Sequence, residues 1–157
     1  MPRSPKAAPQ ASPPIVDLGE LPGHIGYVVR RAQVAIFQHI IRAMAPLNVR
    51  PGQFSVLTLV GANPGIRQTA ISEALGIRRA NLVALVGELE RRGWVQRATV
   101  VGDRRAHGLR LTAKGRAALA RLKTLAAGHE RRVTRTITSR EKRDLMRLLR
   151  RIRDAST

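Results

Sequence analysis

Arg78, Arg79, Ala80 and Asn81 follow one another at the start of an amphipathic stretch. An arginine fork donates two parallel hydrogen bonds, which suit guanine or a phosphate; asparagine pairs with adenine through one donor and one acceptor. At a helix N-terminus, these residue types fit the edges of bases in a major groove. Either arginine can instead hold a phosphate, which positions the helix without reading sequence. Val83 and Ala84 extend the same side. Both are small or apolar, so they permit close approach and thymine-methyl contact but add no donors. A second basic cluster, Gly102-Asp103-Arg104-Arg105, reads as a turn with charge at its tip. A protruding arginine there suits a narrow minor groove, where the negative potential is deepest. Asp103 either orients the Arg105 guanidinium or simply forms the turn.

These residues need elements to hold them. Gly76 stands where a left-handed residue ends one helix, over 68–75, before a second helix over 79–92. Two helices joined by a tight turn make a helix-turn-helix. After Gly93 the period changes to two, at 94–98 and again at 108–111, which predicts a β-hairpin. Upstream, apolar residues at three- and four-residue steps from Ile25 to Leu47 predict a helix over 23–46. Pro51 opens another, over 51–62. Downstream, Thr112 caps a helix over 113–134. Thr138-Ser139-Arg140-Glu141 reads as a capping box for a last helix over 139–154, with an apolar seam of Leu145, Leu148, Leu149 and Ile152. Six of the nine prolines fall in residues 1–22, which are expected to be a flexible arm. The expected fold is therefore mainly α with a small β-hairpin wing. A winged helix-turn-helix lobe (51–112) sits inside a helical region (23–50 and 113–157).

Composition narrows the partner. The 157 residues hold 29 Lys+Arg against 10 Asp+Glu, a net charge of +19. Such a chain usually meets a polyanion. Only Tyr27, Phe37, Phe54 and Trp94 are aromatic, too few for binding by rows of stacked bases. Cysteine is absent, which excludes disulfides, thiol sensors and cysteine-based zinc sites. His24, His39, His107 and His129 are scattered with no pair four apart, so no metal site is expected. No apolar run is long enough to span a membrane, and the N-terminus lacks a signal h-region. A bacterial cytoplasmic protein is expected, nucleoid-associated when bound to DNA. No phosphate loop, nucleophile elbow or metal motif suggests an enzyme.

Three stretches carry a family resemblance: Arg50-Pro51-Gly52-Gln53-Phe54-Ser55-Val56-Leu57, Leu85 through Glu90-Arg91-Arg92-Gly93-Trp94-Val95, and Gly102-Asp103-Arg104-Arg105 running to Leu109-Arg110-Leu111-Thr112-Ala113-Lys114-Gly115. Together with Gln68 through Ile77, they resemble the MarR family of transcriptional regulators over about residues 24–153. The resemblance implies a homodimer paired through the first and last two helices. It implies two recognition helices on a palindromic operator, and repression relieved by a small molecule. The DNA contacts it places here are Gln68, Thr69, Arg78, Arg79, Ala80, Asn81, Val83, Ala84, Arg104 and Arg105. Family members often carry polar residues where Val83 and Ala84 stand, which puts base-specific contacts there in question. No cofactor is expected. The family's common effectors are aromatic carboxylates and their coenzyme A thioesters. Arg30, Arg31 and Arg42 lie in a region without acidic residues; they either hold an anionic ligand or add to the positive field. His39 either meets a ligand's polar group or is a plain buried histidine, and Phe54 either walls a pocket or belongs to the core. The rival reading is a non-specific basic DNA organiser without an effector.

Overall fold

The computed structural model describes residues 16–100 and 103–155, with the side chains at 99, 100 and 103–107 left aside. The proline-rich stretch of 1–15 and Gly102 lie outside the described residues. Two compact units divide the chain between Val34 and Ala35.

In the first unit, residues 16–24 are exposed. Asp17 Oδ1 accepts the Gly19 N–H at 2.9 Å. Pro22 lies within a single 3-10 turn, Leu21–Gly23, so this proline does not prevent helical turns; its fixed φ suits the first positions of one. Helix α1, Ile25–Met44, begins here and continues into the second unit. It stops two residues before Pro46, which sits in a second 3-10 turn, Ala45–Leu47.

The second unit contains the end of α1, then α2 (Pro51–Ala62), α3 (Gln68–Leu75), α4 (Arg79–Arg91), strands β1 (Val95–Val100) and β2 (Asp103–Leu111), α5 (Ala113–Val133) and α6 (Ser139–Ala155). Its core joins Met44, Val56, Leu57, Val60, Ile71, Leu82, Val86, Leu89, Leu109 and Leu122. Helix α2 is apolar on more than one side and packs against α3, α4, β2 and α5, as a helix without a polar face must.

Two helix starts are capped as their residues predict. Thr112 Oγ1 accepts the Gly115 N–H at 3.0 Å. Glu141 Oε2 accepts the Thr138 N–H at 2.7 Å while Thr138 Oγ1 accepts the Glu141 N–H at 3.2 Å. These bonds hold the Glu141 carboxyl below its ordinary range.

The hairpin is longer than its alternation predicts. Val95 pairs with Leu111 and Thr99 with His107, and a register shift after Thr99 brings Val100 opposite Asp103. Residues 103–105 therefore lie in strand backbone rather than in the turn. Backbone ladder bonds extend the pairing past the point where side-chain alternation ends. Ile66 adds an isolated bridge to Leu109, which ties the turn before α3 to the sheet.

Candidate functional site

The turn between α3 and α4 is set by backbone geometry. Gly76 takes φ +61°, a left-handed conformation that glycine adopts without strain. Its N–H bonds Glu73 O, and Ser72 Oγ donates to Ile77 O at 2.6 Å. Arg78 is extended and caps α4. Helix α4 then buries Leu82, Val86 and Leu89. Arg78, Arg79, Ala80, Asn81, Val83 and Ala84 are all exposed, Val83 at 51%, and Ala80 and Ala84 stand opposite the buried residues. A valine so open is suited to contact with an apolar group such as thymine methyl. Thr69 is exposed at the start of α3, and Gln68 is half-buried. The structure thus leaves Arg78, Arg79, Ala80, Asn81, Val83 and Ala84 exposed together at the N-terminal end of α4. The side chains of Asp103, Arg104 and Arg105 lie outside the described set; only their strand backbone is placed.

The candidate ligand residues are spread over both units. In the first unit, Arg30 and Arg31 are exposed, with Arg30 Nη1 donating to Gln33 Oε1 at 3.0 Å. In the second, Arg42 is exposed and Phe54 packs against the core. His39 has a partner that its place in the sequence conceals. Its Nδ1 lies 2.7 Å from Nδ1 of His129, on α5, with ring centroids 4.9 Å apart. One imidazole must donate its N–H while the other accepts. Both rings cannot be protonated at Nδ1 in that arrangement.

Burial, and next the neighbouring His39, hold His129 below its ordinary 6.5, against the opposing pull of Glu130. Below pH 6.5 the unfolded chain therefore takes up a proton at this position that the folded chain resists. Stability is expected to be full above 6.5 and to fall as pH drops toward the lowered value. Urea unfolding at pH 7.5 and 5.5 checks this; His129→Gln should remove part of the difference.

Two cavities were not legible from sequence. One, of about 270 Å³, is lined by Pro46, Leu47, Arg121, Thr124 and Leu125. Arg121, Thr124 and Leu125 share a face of α5 at helical spacing, but nothing in that spacing separates a pocket wall from an ordinary helix surface. The other, also about 270 Å³, is lined by Asn48, Arg50, Gln53, Glu88, Arg91 and Arg92. Neither includes Arg30, Arg31, His39, Arg42 or Phe54. Among the described residues, no three His, Cys, Asp or Glu side chains cluster as a metal site would require, and no helix is long and apolar enough to cross a membrane.

Residues 47–106 match the family model described as MarR family. A putative transcriptional regulatory protein for the hcr operon of Thauera aromatica is 31% identical over 135 residues, 85% of this chain and 81% of that protein. The transcriptional repressor CouR, solved with a 23-mer DNA duplex, is 45% identical. That match covers 88% of this chain and 99% of CouR at a TM-score of 0.80. CouR solved with p-coumaroyl-CoA matches at 42% identity, 88% and 97% coverage and a TM-score of 0.80. The exposed face of α4, the left-handed turn before it and the hairpin after it are the parts of a winged helix-turn-helix, and the chain belongs to the MarR family of transcriptional regulators.

Proposed function

We propose that this chain is a repressor that binds a palindromic operator as a homodimer and leaves it on binding a small anionic effector. The observation that carries the DNA half is the open row of Arg78, Arg79, Asn81 and Val83 on α4. The likeness to a repressor bound to duplex DNA supports it. Dimerisation is supported by α6, whose Leu145, Met146, Leu148, Leu149 and Ile152 are 37–49% exposed in the single chain. A contiguous apolar face of that kind calls for a covering surface, and the family resemblance supports a second copy of this chain in that role. Residues 23–50 and 113–157 then form the dimerisation region, flanking the DNA-binding lobe of 51–112.

The effector class is an aromatic carboxylate or its coenzyme A thioester. Its support is the p-coumaroyl-CoA held by a repressor 42% identical to this chain. The cavity of Pro46, Leu47, Thr124 and Leu125 offers apolar walls, with Arg121 to meet an anionic group by charge-assisted hydrogen bonds. Arg30, Arg31, His39, Arg42 and Phe54 stay as proposed ligand residues. A ligand polar group reaching His39 Nδ1 has to displace His129. The setting is the bacterial cytoplasm, on the nucleoid when the operator is occupied.

A panel of aromatic acids and acyl-CoA thioesters titrated against the protein–operator complex tests the effector. One of them should release DNA, and Arg121→Gln should raise the concentration needed. Release by none overturns the effector class. For the wing, Arg105→Ala is expected to weaken operator binding several-fold with the dimer intact by sedimentation, as loss of a minor-groove contact requires. Unchanged affinity refutes the wing contact.

A further inference from the structure

The outward row of α4 does not end with the residues expected to enter the groove. Opposite Leu82, Val86 and Leu89 the helix presents Ala80, Ala84, Gly87 and then Arg91. From Ala80 to Arg91 is about 16 Å along the axis at 1.5 Å per residue. Arg91 lines the second cavity, at the end of that row, together with Arg50 from the start of α2.

The frame of this cleft is built. Arg92 donates to Leu47 O at 2.7 Å and Asn48 O at 3.1 Å and lies 4.1 Å over the Trp94 ring. Its guanidinium is therefore committed to structure. Gln53 is 3% exposed; its Oε1 accepts the Arg50 N–H at 2.9 Å and its Nε2 donates to Glu88 Oε2 at 2.6 Å. That bond fixes the one carboxylate lining the cleft, and three arginines, Arg50, Arg91 and Arg92, line the cleft with it. Arg50 and Arg91 are exposed, and neither has an ion-pair partner among the described residues. Two unpaired guanidiniums beside a fixed polar wall are suited to a phosphate, which accepts bidentate hydrogen bonds from arginine.

We propose that Arg50 and Arg91 form a phosphate-binding cleft at the far end of the recognition surface. The favoured occupant is a backbone phosphate of the bound duplex, because the groove-facing row of α4 leads straight to it. The same chemistry is offered by the 3′-phosphate of a coenzyme A thioester. The proposal rests on the DNA-binding reading and adds a contact outside the helix N-terminus and the wing.

The test uses full-length protein with Arg50→Gln, Arg91→Gln and the two Arg→Lys variants. Each is first matched to the parent in thermal unfolding. Operator and random duplex are titrated from ~50 to 300 mM salt. If a DNA phosphate fills the cleft, each Gln variant binds both duplexes about fivefold more weakly near 0.15 M salt, and the slope of log K against log salt shrinks by about one. The Lys variants keep most of both. If the effector's phosphate fills it, DNA binding is unchanged. The Gln variants then need more thioester for release and no longer distinguish it from its 3′-dephospho form. Unchanged behaviour in both arms overturns the proposal, as does lost affinity with an unchanged salt slope. If no thioester releases DNA from the parent protein, the effector reading fails and the salt arm alone decides.

Discussion

Replacing Asn81 with Ala is expected to weaken operator binding roughly ten- to a hundredfold, the ~1–3 kcal/mol that a bidentate side chain–base pair supplies. Asn81 is exposed on the first turn of α4 between Arg79 and Val83. It is the one side chain on that surface able both to donate and to accept. Phosphates offer only acceptors, so its pairing capacity is used in full only at a base edge. Binding to random duplex should therefore change by less than about twofold, since non-specific affinity comes from backbone charge. Competition titrations with both duplexes give the two numbers. Equal losses on both would assign Asn81 to positioning alone.

The second large effect concerns stability. Gly115→Ala is expected to destabilise the fold by at least ~3 kcal/mol, combining overpacking with loss of a helix cap. A Cβ at Gly115 would lie 1.9 Å from Trp94 O and 2.8 Å from its carbonyl carbon. Backbone cannot yield as a flexible side chain would. Thr112 links the same points: its Oγ1 donates to Gly93 O at 2.7 Å, its N–H donates to Trp94 O at 3.1 Å, and it accepts the Gly115 N–H. The pattern Leu-x-Leu-Thr-x-x-Gly thus has a physical reason. It seats the start of α5 directly on the residue that enters the hairpin. Urea unfolding checks the value; a change below about 1 kcal/mol, the cost of a cap alone, would mean that the α5–Trp94 junction relaxes.

Local rules account for most of the fold. Gly76 and Gly93 take the left-handed conformations, φ +61° and +67°, that their places after α3 and α4 require. Thr112 and Glu141 cap α5 and α6 as their spacing implies. What escaped the sequence depends on partners far along the chain. His39 and His129 are 90 residues apart, and no periodicity joins them. Arg50, Arg91 and Arg92 meet only once α2 packs on α4. Strand pairing continues to Val100 and Asp103 through backbone bonds after the alternation has stopped. The exposed stretch at 78–84 could be anticipated because one helix and the residue before it carry it. The Arg121 cavity could not be anticipated, because residues far apart in the chain line it.

The net charge of +19 allows either a sequence-reading repressor or a general DNA-coating protein, and a single competition decides between them. Labelled operator, taken from the DNA flanking the protein's own gene, is titrated at ~150 mM salt against excess random duplex of equal length. The account predicts a preference of ~10³-fold or more, lost on adding an effective aromatic acid or thioester. A preference near unity, with affinity set by salt alone, would contradict it.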